Sequence, residues 1–169
     1  MHKQLADGGL RAIDVIGDGN CYFRALSFCL FGHEQGHMML RKTIVDQLFR
    51  AGNMLGGVAI TCEELQKDDV RKQVAKLKED GSWVGEDMIL ASAAHLQREI
   101  HVYVAMDGKT AAQNSPRIYS APPSTAPVGS LPLLLAYYEP GHYRAVVKRY
   151  DQQYNNSVNS IPPAKQKST

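Results

Sequence analysis

Leu40, Ile44 and Leu48 recur four residues apart, with Val45 and Phe49 beside them. That helical period predicts a helix with one buried face, stopped by Gly52. Val70, Val74 and Leu77 predict another helix, preceded by Thr61 and Glu64 at capping-box spacing. Met88, Ala91 and Leu96 predict a further one, whose first turn carries Glu86 and Asp87 at the positive end of its dipole. Upstream, Ala12 to Ile16 reads as a short extended segment that ends at the turn Gly17-Asp18-Gly19. A helix then begins after Asn20, a favourable N-cap type, and runs to about Leu30. The later chain changes period. Ile100 to Val104 alternates like a strand, and Leu131 to Tyr138 is a dense apolar run, the type expected of a central strand covered on both faces. Glu139-Pro140-Gly141 reads as a tight turn, with Tyr143 to Val147 as the returning strand. Helices first and strands last predict an α+β layered fold.

Composition adds bounds to this picture. A chain of 169 residues, 44% hydrophobic and 21% charged, suits one globular domain. A formal net charge of +2 gives no argument for nucleic acid or an anionic membrane as partner. No apolar run approaches the roughly 20 residues of a membrane span, and the N-terminus lacks a signal-peptide pattern. Cys21, Cys29 and Cys62 are odd in number and form no CxxC pair, against a disulfide framework or a cysteine-only zinc site. The expectation is a monomer in a reducing, intracellular and cytoplasmic setting. Residues 1–10 read as a lead-in, 11–150 as the domain, and 151–169 as a mobile polar tail with too little apolar surface to offset its ordering entropy. Asp107 to about Gly129, with Pro116, Pro122, Pro123 and Pro127, reads as a loop.

The candidate chemistry is concentrated at Asp18-Gly19-Asn20-Cys21. A nucleophilic cysteine works as its thiolate, and the dipole and amides of a helix N-terminus lower a thiol pKa from about 8.5. Gly17 and Gly19 let the chain turn sharply, so its amides can face the same point as the sulfur, as an oxyanion hole requires. The competing reading is a small buried cysteine beside an ordinary turn. His142, at a turn before a strand, is the candidate base; a surface or capping role is its alternative, and the pairing with Cys21 is what favours catalysis.

Asp18 to Ala25 resembles the cysteine motif of the ovarian-tumour (OTU) family of papain-like cysteine proteases. Leu40-Arg41, the Trp83-Val84-Gly85 segment with its alanine-rich helix, Ile100-His101-Val102 and His142-Tyr143 resemble further motifs of that family, in the same order. The resemblance spans roughly residues 11 to 149. It implies a mostly antiparallel central sheet flanked by helices, no metal and no cofactor, and hydrolysis of isopeptide bonds to ubiquitin or a ubiquitin-like modifier. By position it implies Cys21 as nucleophile and His142 as base, Asp18 in the catalytic loop, and Gly19 and Asn20 near the oxyanion hole. One position departs. The family commonly carries Asp or Asn two residues after the histidine to orient the ring, and here Arg144 stands there. Arginine has no acceptor for a ring N–H. Asp14, Asp18 and Glu139 are the nearby acids; Asp14, which flanks the catalytic loop, is the candidate orienter, against its reading as a solvent-facing residue. An alternative function follows, a ubiquitin-binding module with impaired catalysis.

His33-Glu34-Gln35-Gly36-His37 satisfies H-E-x-x-H, which on a helix sets two imidazoles toward a zinc ion with Glu34 as base. Gly32 and Gly36 weaken a helix there, and Leu40 and Thr43 stand where a longer zinc motif needs Gly and His. The stretch is expected to be a polar link between two helices. His95 and His101 read as packed or surface residues, Cys29 as core, and the basic run Lys67, Arg71, Lys72, Lys76 and Lys78 as a solvated helix face.

Overall fold

The computed structural model describes residues 2–47, 54–55, 58–59, 63, 66–105, 115–120, 130–139 and 141–148. The first half of the chain supplies α1 (His2–Asp7), β1 (Leu10–Ile13), α2 (Cys21–Phe31), α3 (His37–Gln47) and the small hairpin β2 (Met54–Leu55) and β3 (Val58–Ala59). The second half supplies α4 (Asp68–Lys78), α5 (Glu86–Leu96), β4 (Ile100–Ala105), β5 (Arg117–Tyr119), β6 (Leu133–Tyr138) and β7 (His142–Lys148). The Thr61–Glu64 capping pair, Leu48, Phe49, Gly52, Cys62, Pro122, Pro123, Pro127, Pro140 and the tail from 151 lie outside the described residues.

Five strands form one sheet in the order β1-β7-β6-β4-β5. Among the described residues only β4 and β6 run parallel, Ile100 lying opposite Leu133; the other pairings of the sheet are antiparallel. The apolar run ending at Tyr138 is the middle strand, and its alternation shows why it is apolar throughout. Leu133 and Leu135 face a core built with α2, α3 and α5, while Ala136 faces a second cluster with Leu5 and Val146. A strand covered on both faces has no polar side to present.

The helices begin and end for local reasons. Gly32 adopts φ 76°, and its N–H bonds back to the Phe28 carbonyl, closing α2 in the left-handed conformation that glycine tolerates best. In α4, Asp68 and Asp69 occupy the first turn and Lys76 and Lys78 the last, which complements the helix dipole. The basic residues there lie mostly on a solvent-exposed face, and Lys78 pairs with Asp46 of α3.

Two differences from the sequence reading bear on the site. Residues 2–7, read as lead-in, form a helix anchored by Leu5 at 2% exposure. The first strand is Leu10–Ile13 instead of Ala12–Ile16, since it is residues 10–13 that find partners on β7, Leu10 opposite Lys148 and Ile13 opposite Ala145. Asp14 therefore sits just past the strand, where the chain leaves β7 for the catalytic loop.

Replacing Leu135, fully buried at the middle of the sheet, by alanine is expected to lower stability by roughly 2–5 kcal/mol. Met39→Ala, at 57% exposure, is expected to change it by less than about 0.5 kcal/mol. Urea unfolding of the two variants checks both, the first by a fall in midpoint and the second by its constancy.

Candidate active site

Cys21 is the first residue of α2, so its sulfur lies at the positive end of an eleven-residue helix. Asn20 occupies the N-cap, but its side chain makes no capping bond. The expectation of a capping asparagine is corrected here: the amide is drawn inward instead. Asn20 Nδ2 donates to Asp80 Oδ1 (2.7 Å), and Oδ1 accepts from Gly81 N–H (3.1 Å) and from Arg41 Nη2 (2.9 Å) and Nε (3.2 Å).

Arg41 has no exposed surface. It also donates to the carbonyls of Gly19 (3.2 Å), Leu77 (2.8 Å) and Ser82 (2.7 Å), and its guanidinium stacks over Phe23 at 4.6 Å. One planar cation thus ties the catalytic loop to the end of α4 and to the α4–α5 connection. Five N–H donors in a fixed fork suit such a task, which an ammonium cannot perform. The sequence held a sign of this burial: Arg41 is one turn from Val45 on α3, and Val45 is fully buried.

The α4–α5 connection also packs on both halves of the site through glycines. Gly19 has φ 81°, and a Cβ there would stand 2.0 Å from the Gly81 carbonyl oxygen. Gly141, just before His142, has φ 137°, and a Cβ would fall 2.4 Å from the Trp83 ring. No side chain fits at either place without moving backbone or indole.

Asp18 is held by Arg24 and the Asn20 amide. Its carboxylate takes Arg24 in a two-pronged ion pair, with Nη2 at 2.6 Å, and accepts the Asn20 N–H at 3.0 Å. The Arg24 bond, more than any other interaction, holds the Asp18 carboxyl far below the usual carboxylate range. Because Asp18 takes the Asn20 amide, the Gly19 and Cys21 amides remain the oxyanion-hole candidates.

The thiol of Cys21 points at the neighbouring loop, donating to the Gly141 carbonyl at 3.8 Å. Gly17 lies against the histidine ring, where a Cβ would stand 3.5 Å from His142 Nδ1. Cys21, Gly17, Trp83, Tyr119, Gly141 and His142 line a single cavity of about 460 Å³.

His142 Nε2 lies 3.0 Å from Asp14 Oδ1. With Nε2–H donating to that carboxylate, the lone pair is left on Nδ1, at the opposite edge of the ring. The acceptor that Arg144 cannot provide therefore comes from the residue just past the adjoining strand. Ile13 pairs with Ala145, so Asp14 comes level with Arg144, and alternation puts it on the face shared by His142 and Arg144. Asp14 also accepts from Val15 N–H (3.2 Å). The His142 bond lowers its carboxyl pKa most; partial burial opposes that, and the Arg144 charge adds to it. Arg144 Nε lies 3.0 Å from Asp14 Oδ1 but is not aligned to hydrogen-bond it, so that contact is one of charge.

The H-E-x-x-H stretch does not form a zinc helix. His33 and Glu34 lie in a bend ahead of α3, His37 begins the helix, and Glu34 takes the Ile16 N–H and Arg24. Among the described residues no group of three His, Cys, Asp or Glu side chains could hold a metal ion. His95 contacts Gln47 and His101 contacts Glu99, both away from the cavity. Cys29 packs beside the core with its thiol on the Leu134 carbonyl, and burial pushes its pKa up to about 11.

Two predictions follow from this geometry. Arg41→Leu should cost roughly 3–5 kcal/mol in urea unfolding, with Arg41→Lys recovering less than half of it. In peptide-mapped iodoacetamide labelling at pH 7, Cys21 should be modified well before Cys29, whose thiol is held protonated by its surroundings; the reverse order would contradict the reading of Cys21 as the reactive thiol.

Comparison with known proteins agrees with this arrangement. The family model described as OTU-like cysteine protease matches residues 16–143. OTU domain-containing protein 3 of Mus musculus is 35% identical over 103 residues, which are 60% of this chain and 24% of that protein. Ovarian tumor domain-containing deubiquitinating enzyme 7 of Arabidopsis thaliana is 28% identical over 153 residues, 89% of this chain and 36% of that protein. This chain thus spans a quarter to about a third of the length of these relatives. In three dimensions the solved OTU domain of OTUD1 superposes with a TM-score of 0.65 at 26% identity, covering 86% of this chain and 91% of that one. The Hazara virus OTU bound to ubiquitin shares the fold, with a TM-score of 0.59 at 12% identity over 85% of this chain and 83% of that one. With its cysteine at a helix N-terminus and its histidine across one cavity, this chain belongs to the OTU-like cysteine protease family.

Proposed function

We propose that this chain is a deubiquitinase, hydrolysing the isopeptide bond between the ubiquitin C-terminal glycine and a lysine of the conjugated protein. The observation that carries the reading is the pairing of Cys21 and His142 on one cavity, with an acceptor already on His142 Nε2. The Cys21 thiolate attacks the glycine carbonyl, and the Gly19 and Cys21 amides stabilise the tetrahedral oxyanion. His142, holding the thiol's proton, passes it to the departing lysine amine as the C–N bond breaks. A water, deprotonated by His142, then attacks the thioester, which releases the ubiquitin carboxylate and returns the proton to sulfur. Asp14 holds the imidazole in the tautomer with Nδ1 free and stabilises the imidazolium. Asp18 and Asn20 shape the loop that presents Cys21, and a thiol nucleophile of this type favours a reducing, intracellular compartment.

The relatives named as deubiquitinating enzymes and the viral OTU solved with ubiquitin support ubiquitin as the modifier. The competing reading is a binding module whose catalysis has decayed, which Arg144 suggested. Asp14 on His142 counts against it, since the function of the missing acid has a substitute.

Reaction with ubiquitin carrying a C-terminal propargyl group tests the proposal by intact mass. The wild type should gain one ubiquitin, Cys21→Ala none, and His142→Ala should react roughly a hundredfold more slowly. Ubiquitin binding without adduct, unaffected by Cys21→Ser, would favour the decayed module instead.

A further inference from the structure

Asp14, on which the orientation of His142 depends, is poorly sheltered: its side chain is 67% exposed, so water competes for the same oxygen. Its neighbour is held far more firmly. The Arg144 side chain is 24% exposed, and its guanidinium lies over the Tyr138 ring at 4.3 Å, on the same sheet face. Stacking of that kind fixes a planar cation at modest entropic cost. Both His142 Nε2 and Arg144 Nε stand 3.0 Å from the one oxygen, Asp14 Oδ1.

We propose that Arg144 is a positioning residue for the reaction: seated on Tyr138, its fixed positive charge draws the exposed Asp14 carboxylate onto His142. The inference rests on the reading of Cys21 and His142 as nucleophile and base. Arg144 is two residues along β7 from His142, where its side chain shares the face of the histidine, and β1 carries Asp14 into register beside it. The pair divides the task of one acid between two strands. β7 supplies the anchor and the residue just past β1 the acceptor, so the residue that cannot itself accept the ring N–H holds in place the one that can. Tyr138 is the third member, on β6, opposite His142 in the register.

The test is a double-mutant cycle on the full chain, read by hydrolysis of ubiquitin with a C-terminal fluorogenic amide. Arg144→Ala should lower kcat about two- to fivefold with KM unchanged, the range for one exposed charge pair. Arg144→Lys, which keeps the charge, should recover most of that loss, and Arg144→Gln should not. Asp14→Ala should lose roughly tenfold or more. In the Asp14→Ala background Arg144→Ala should add nothing further, because its action passes through Asp14. An equal loss in both backgrounds, an unchanged kcat, or a change confined to KM would overturn the proposal. The rate of Cys21 alkylation by iodoacetamide, followed in the same variants, needs no ubiquitin. If the wild type fails to cleave ubiquitin while the cycle holds for alkylation, the substrate reading falls and the role of Arg144 stands. Thermal melting of each variant identifies a loss that is merely one of folding.

Discussion

A guanidinium with no solvent exposure is tolerated only when nearly all its donors are matched, and Arg41 meets that condition through the loops that build the active site. Its partners are the Asn20 amide oxygen and the carbonyls of Gly19, Leu77 and Ser82, which come from segments with no local reason to approach one another. The same demand that Arg41 be satisfied therefore draws the catalytic loop, the end of α4 and the α4–α5 connection to one point. Asn20 completes the arrangement by bonding Asp80 and Gly81, and Cys21 follows it directly at the start of α2. The position of Cys21 is thus a consequence of how a buried charge is solvated by backbone.

The histidine half is set by the sheet. His142 opens β7, which is paired on both sides, by β6 and by β1. A strand locked in this way gives its first side chain a fixed base, and the glycine before it lets Trp83 close over the turn. Trp83 and Gly81 belong to the same short connection, so the two halves of the site share one spacer: Gly81 backs Gly19, and Trp83 backs Gly141. Two half-sites built on different elements need such a common reference if Cys21 and His142 are to keep a fixed separation.

The contact between Asp14 and His142 shows how a hydrogen-bond acceptor can come from a distant part of the chain. What His142 requires is an acceptor at Nε2, not an acid at one place in the chain. Strand pairing makes β1 and β7 neighbours, so a carboxylate just past Ile13 reaches the ring as well as one on β7 would. With arginine at position 144 the ring still has a carboxylate partner, because Asp14 lies across from it.

Much of this was legible in the residue order. The apolar run ending at Tyr138, the helical periods near Leu40 and Met88, and the turn at Gly141 are local patterns, and local patterns determine which elements form. The Asp-Gly-Asn-Cys stretch carried the candidate nucleophile for the same reason, since helix start, glycine turn and thiol are contiguous. Other features were open. The sequence offered Asn20 as a cap, and only burial against Arg41 and Asp80 gave it a different partner. It offered H-E-x-x-H as a metal motif, and the bend before α3 and the pairing of Glu34 with Arg24 disposed of the geometry that motif needs. It named three acids near the histidine without ranking them firmly, since Asp14 and His142 are 128 residues apart. Sequence by itself determined most of the elements and offered the candidate reacting side chains, because those depend on near neighbours. Only the tertiary structure decided which polar groups meet, because strand register and the satisfaction of a buried charge act between residues far apart in the chain.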